Sequence, residues 1–198
     1  MARHVNDEYV KRAQKDGYRS RAAYKLEELD HTDRLLRAGM TVVDLGSAPG
    51  GWSQYVIRQL GGHVRLVALD LLPMEPISGV DFIQGDFTET QMLDSLNRGL
   101  AGAAVDLVIS DMAPNISGVA AIDQAKMVYV GELALEFAAQ TLKPGGTLVL
   151  KTFQGAGYAE LHRAMKQKFD KLLTRKPKAS RAESSEIYLV AKGFKGSA

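Results

Sequence analysis

Apolar residues follow two rhythms along this chain. From residue 40 onward, short continuous apolar runs alternate with stretches of helical period. TVVDL (41–45), VRLVALD (64–70), VDFIQGD (80–86), AVDLVISD (104–111) and GTLVLK (146–151) read as buried strands. Residues 52–60, 88–98, 122–141 and 157–168 read as helices. The first is ended by Gly61-Gly62, and the long third one is stopped by Lys143-Pro144-Gly145-Gly146. DKLLTRK (170–176) and EIYLVAK (186–192) are late strands with no helix between them, so they pair antiparallel. Residues 1–35 form a basic helical arm, apolar at Tyr9, Val10, Ala13, Tyr24, Leu26 and Leu29 and broken near Gly17. The pattern predicts an α/β fold. A mostly parallel seven-stranded sheet with an antiparallel last strand is covered by helices on both faces. The arm (1–35) and the body (36–198) make one domain overall.

Length and composition agree with that plan, since 198 residues suit one full-sized core. The absence of cysteine excludes disulfides and thiolate zinc sites. His4, His31, His63 and His162 are scattered, and no metal is expected. No stretch reads as a signal peptide or a transmembrane span, so a cytoplasmic location is expected. Net charge is only +2, but residues 1–25 carry +4 and residues 163–181 carry +7. The rest of the chain must therefore carry −9. Two basic blocks on an acidic body are either solvated faces or the footprint of a polyanion partner.

The loop DLGSAPGG (44–51) joins the first strand to a helix. Gly46, Gly50 and Gly51 allow a tight turn and close approach of a ligand, or a tight turn alone. The GxxxGG spacing is neither the GxGxxG of dinucleotide folds nor a phosphate-binding loop. A small zwitterion or carboxylate suits it better than a pyrophosphate. Asp70 ends the second strand, 24 residues after Gly46, where an acid commonly binds ribose hydroxyls. Asp86 in QGDF can accept from an adenine amino group. Trp52, the only tryptophan, either packs at the cofactor mouth or between helix and sheet. Together these positions fit a nucleoside cofactor without phosphate, and S-adenosylmethionine matches better than NAD.

Four charged residues come from four segments. Asp111 and Lys151 close strand-like runs, Glu186 opens another, and Lys25 lies on the arm. Ionised groups at the ends of buried strands are costly unless something uses them. The ligand crevice of such sheets lies beyond the strands' carboxyl ends. Each residue alone reads equally well as part of a surface ion pair.

DLGSAPGGWSQ, ALDLLPM, DFIQGDF, SDMAPN, LVLKTFQG and RKPKASRAESSEIYLVA stand in the same order and register as in the RrmJ/FtsJ family, the bacterial ribosomal RNA large-subunit methyltransferases E. The resemblance runs from about Asp16 to Lys192, and Lys25, Asp111, Lys151 and Glu186 match the family's Lys-Asp-Lys-Glu tetrad. It implies a Rossmann-like methyltransferase fold and 2′-O-methylation of a uridine in 23S ribosomal RNA within the assembled large subunit. It also carries the cofactor role to Gly50, Trp52, Asp70, Asp86 and Asp111, and the proton-acceptor role to Lys151. Ser47 departs from the family, whose members often have alanine there.

On this reading Lys151 takes the proton of a ribose 2′-hydroxyl, or stays protonated and orients it. Asp111 orients Lys151 beside the sulfonium, Lys25 holds the ribose oxygen, and Glu186 fixes the lysine geometry. Arg19, Arg21, Arg175, Lys176, Lys178 and Arg181 are expected to flank the crevice and contact phosphates. A monomer acting on ribosomal RNA, with no membrane partner, is expected. The rivals are a transfer-RNA or messenger-cap 2′-O-methyltransferase and a non-catalytic RNA-binding assembly factor. A nicotinamide oxidoreductase is disfavoured by the missing GxGxxG.

Overall fold

The computed structural model describes residues 7–115, 117–181 and 184–196. The predicted arm's first six residues, His4 among them, lie outside the described residues. The elements in chain order are α1 (Glu8–Asp16), α2 (Ala23–Asp33), β1 (Met40–Leu45), α3 (Gly51–Leu60), β2 (Val64–Asp70), β3 (Val80–Gln84), α4 (Thr90–Leu100), β4 (Val105–Ser110), α5 (Ala120–Thr141), β5 (Leu142–Phe153), α6 (Tyr158–Lys168), β6 (Phe169–Arg175) and β7 (Glu186–Phe194). The arm is two helices. The first starts at Asp7, whose carboxylate accepts the Tyr9 N–H, and ends on Gly17 at φ 71°, where a side chain would be strained.

One seven-stranded sheet runs in the order β3-β2-β1-β4-β5-β7-β6. The first five strands in that order pair parallel. The last strand in sequence, β7, is antiparallel as expected and lies between β5 and β6. Side chains alternate between two cores. Val43, Leu45, Leu148, Leu150 and Leu189 pack under α4, α5 and α6, which contribute Leu96, Phe137 and Leu161. Val42, Leu107, Val149, Tyr188 and Val190 pack under α2 and α3, which contribute Leu26, Leu29, Tyr55 and Val56. Leu26 and Leu29 are fully buried, each stabilising by about 1.5–3 kcal/mol. The second half of the arm is thus part of a helical layer.

The structure corrects the end of α5. Lys143-Pro144-Gly145-Gly146 does not separate helix from strand. The helix gives way to β5 at Leu142, and these four residues bulge out, because Val105 pairs with Leu142 while Leu107 pairs with Thr147. Lys143 anchors the bulge through a 2.5 Å ion pair to Asp106, which also receives Arg37 at 2.9 Å. Lys151 likewise does not close its strand. Pairing with β7 continues to Phe153, and this sets Lys151 opposite Tyr188 and Phe153 opposite Glu186.

Candidate active site

A cavity of about 510 Å³ opens at the carboxyl ends of β1 to β4, the place such sheets reserve for ligands. Its walls are the turns after those strands and one side of α5. Gly46, Asp70, Asp86 and Asp111 all line it. Gly46 sits at φ 78°, and a Cβ there would stand 2.6 Å from Met112 Cγ and 2.9 Å from the Met112 backbone. The glycine keeps the first turn and the turn after β4 together.

Each carboxylate is held by local backbone. Asp70 accepts the N–H groups of Ala48 and Leu72, both at 2.8 Å, which ties the glycine loop to the end of β2. Asp86 accepts the N–H and hydroxyl of Thr88, and those bonds hold its carboxyl below the usual range. Lys126 is the one cation among the cavity's lining residues, against three aspartates. Such a set repels a pyrophosphate and suits an adenosine that carries positive charge. S-adenosylmethionine fits these residues: two acids for its nucleoside, and Asp111 for its cationic end.

Asp111 joins the cavity to a buried ionic cluster. The Tyr188 hydroxyl donates to its Oδ1 at 2.6 Å. Lys151 Nζ lies 3.1 Å from the same oxygen and also donates to the Asp111 backbone carbonyl. Burial pushes this carboxyl up. The charges of Lys151 and Lys25 and the Tyr188 bond outweigh that push and hold it below the ordinary carboxylate range. Beside it, Lys25 Nζ pairs with Glu186 Oε1 at 2.7 Å and lies 5.7 Å from the centre of the Tyr188 ring. The four predicted residues therefore form two ion pairs bridged by a tyrosine. In both pairs the side chains are mostly buried.

Tyr188 was missed by sequence reasoning. The signal was present, because two-residue periodicity in EIYLVA puts it on the same face as Glu186. Its hydroxyl is held protonated by burial and by Asp111 and Glu186. Asp44 was missed as well. It is fully buried in β1, with Oδ2 accepting the Ser53 hydroxyl at 2.7 Å and Oδ1 without a partner among the described residues. Burial, offset by the Ser53 bond but reinforced by Asp111 and Asp70, pushes its pKa up to about 7. The departing residue Ser47 is buried, and its hydroxyl makes no hydrogen bond among the described residues.

Other predicted residues are not on the cavity wall. A Cβ on Gly50 would stand 2.6 Å from Ile77 Cδ1, and one on Gly51 would stand 2.3 Å from Ser20 Oγ. These two glycines admit the arm and the 74–77 turn against the loop. Trp52 takes its packing role: its indole N–H donates to the Ala22 carbonyl at 2.7 Å, and its ring lies 5.8 Å from Tyr188. All three remain at the start of α3, where first-turn N–H groups lack intrahelical partners.

Most of the predicted phosphate contacts are tied to the protein itself. Arg19 donates to the carbonyls of Pro49 (3.3 Å), Glu75 (2.5 Å) and Pro76 (2.9 Å), clamping the glycine loop from outside. Arg21 pairs with Asp7 and donates to the Ala179 carbonyl. Arg175 grips Asp33 through Nε at 2.9 Å and Nη2 at 2.8 Å. Lys176 donates to the carbonyls of Ser184 and Glu186. Lys178 and Arg181 have exposed side chains. Arg175→Ala leaves the buried Asp33 carboxylate unpaired. Removing one partner of a buried pair costs ~3–5 kcal/mol, and the Arg175 side chain is 31% exposed, so about 2 kcal/mol is expected here. A lowered urea midpoint with unchanged m-value checks this; an unchanged midpoint refutes it.

The FtsJ-like methyltransferase family matches residues 18–194. A ribosomal RNA large subunit methyltransferase E from Methylobacillus flagellatus is 58% identical over 96% of this chain and 92% of that protein. Its counterpart from Marinobacter nauticus is 57% identical over 98% and 94%. A crystal structure described as a ribosomal RNA methyltransferase from Plasmodium falciparum superposes with a TM-score of 0.81 at 30% identity, covering 91% of this chain and all of that one.

Proposed function

The chain belongs to the FtsJ-like methyltransferase family, and from that premise we propose that it methylates a uridine ribose 2′-hydroxyl in 23S ribosomal RNA, within the assembled large subunit, using S-adenosylmethionine. The observation that carries this reading is the pairing of Lys151 with Asp111, a residue that itself lines the acidic cavity. Asp111 belongs to both the cavity wall and the ionic cluster, so cofactor and acceptor meet there.

The bound cofactor supplies an electrophilic methyl group on a cationic sulfur. The chain's own residues prepare the acceptor. Once its ammonium has given up a proton to solvent, Lys151 takes the proton of the 2′-hydroxyl and so frees that oxygen for the methyl group the bound cofactor would supply. Asp111, held ionised, orients Lys151 through its side-chain and backbone oxygens and would offer a counter-charge to a bound sulfonium. Tyr188 donates to the same carboxylate and keeps its rotamer. Lys25, paired with Glu186, supplies an ammonium that stabilises developing negative charge on the ribose oxygen. Aligning acceptor and methyl removes much of the barrier, on the order of 7–11 kcal/mol in well-oriented systems.

The test supplies methyl-labelled S-adenosylmethionine with unmodified large subunits, free ribosomal RNA and transfer RNA in parallel. Label confined to one large-subunit uridine, and resistant to alkali at that linkage, is the expected result. Label on a base, or on transfer RNA alone, overturns the proposal.

A further inference from the structure

Large apolar side chains exposed by 47–62% are found at five described positions: Leu71, Leu72, Val119, Ile122 and Tyr129. Leu71, Leu72 and Tyr129 line the cavity, and Val119 and Ile122 lie at the start of α5, the helix that forms one of its walls. Solvent-exposed apolar groups scattered singly need no explanation, but a cluster at a site does.

The α5 members are ordered. Ile122, Lys126 and Tyr129 are spaced four and three residues apart, which is one face of a helix, and Val119 stands in extended backbone just before it. From Ile122 to Tyr129 the face spans about 10 Å at ~1.5 Å per residue. Tyr129 and Lys126 line the cavity; Val119 and Ile122 lie beyond it. The strip therefore fits an extended ligand with flat apolar faces and negative charge, and unstacked RNA has both: bases that stack on aromatic rings and phosphates that meet a lysine. The nearest α5 carboxylate does not oppose it. Asp123 turns inward and accepts the N–H and hydroxyl of Ser117, both at 2.7 Å, and the N–H of Gly118 at 3.1 Å. Those bonds also fix the turn that leads into the strip.

We propose that this face of α5 is a stacking platform for the unpaired nucleotides beside the methylated one, with Tyr129 beneath the base nearest the cavity and Lys126 on an adjoining phosphate. The proposal rests on the RNA methyl-transfer reading above and adds how the strand is held. Four of the six predicted phosphate contacts, Arg19, Arg21, Arg175 and Lys176, are bonded within the protein, and apolar stacking at α5 adds to the grip of the rest.

The experiment compares Tyr129→Ala, Tyr129→Phe and Ile122→Ser with the parent, using unmodified large subunits as substrate. It reads KM for the subunits, the dissociation constant of S-adenosylhomocysteine and the thermal midpoint. Loss of one base–aromatic stack is expected to raise the subunit KM about tenfold in Tyr129→Ala, with cofactor-product affinity and midpoint retained. Tyr129→Phe is expected to keep the parental KM, because the ring and not the hydroxyl stacks. A 4-thiouridine placed beside the target is expected to photo-crosslink to α5. An unchanged subunit KM in Tyr129→Ala overturns the platform. So does a matching loss of S-adenosylhomocysteine affinity, which makes the ring a lid on the adenine, or a Phe variant as impaired as Ala. If the parent labels no RNA, the methyl-transfer reading fails instead, whatever the variants bind.

Discussion

Lys151→Ala is expected to slow single-turnover methyl transfer by about 10²–10⁴-fold, the range of a lost general base. The reason is geometric before it is electrostatic. Lys151 is 7% exposed and held by two oxygens of Asp111, so its amine is fixed beside a residue that lines the cavity. Lys151→Arg separates proton removal from charge. A guanidinium keeps the positive charge but cannot deprotonate in a protein, so this variant is expected to be nearly as slow as Ala. Rapid-quench measurement of single turnovers checks this. An arginine variant of parental rate would remove Lys151 from the base role and leave it an orienting charge. In Ala the Asp111 carboxyl loses the larger of the two lysine charges that hold its pKa down, so its pKa is expected to rise, read by carboxylate carbon chemical shifts.

Asp44→Asn is expected to stabilise the protein at neutral pH relative to acid. The native carboxyl titrates near pH 7 and the unfolded one near 3.8. Below the unfolded value both states hold the proton, and the group makes no difference between them. As pH rises from there, the unfolded chain releases its proton while the native state keeps it, so stability falls. Above about 7 the loss is complete and constant. A shift of roughly three units amounts to at most ~4 kcal/mol, at ~1.4 kcal/mol per unit. Asparagine has no such dependence. Its own amide N–H groups replace an oxygen that has no described partner, which costs about 1–3 kcal/mol at every pH. The stability difference between variant and parent is therefore expected to move in the variant's favour between pH 4 and 8, by a few kcal/mol. Urea midpoints across that range check it. A difference that stays flat would mean that Asp44 ionises like an exposed acid.

The arrangement of strands and helices was readable because parallel strands buried on both faces appear as unbroken apolar runs, and β1, β2, β4 and β5 are of that kind. The Lys-Pro-Gly-Gly segment misled because its composition is that of a chain break. Only pairing on both sides of it, with Asp106 holding Lys143, makes it a bulge inside β5. The place of β7 inside the sheet was invisible for a related reason. Periodicity tells which face a residue takes and nothing about which strand lies beside it.

The basic blocks carry the same lesson at the level of single side chains. Arg175 was read as a phosphate contact, yet its partner Asp33 lies 142 positions away. Arg19 was read in the same way and instead holds carbonyls on two turns. By itself the order of residues determined the period of each element, the kinds of charge at the strand ends and the glycine spacing of the cofactor loop, because all of these are local. Only the folded chain decided which charges neutralise one another, that a tyrosine bridges the two lysine pairs and that apolar side chains gather on α5. Those outcomes depend on contacts between segments far apart along the backbone, and short-range spacing carries no record of them.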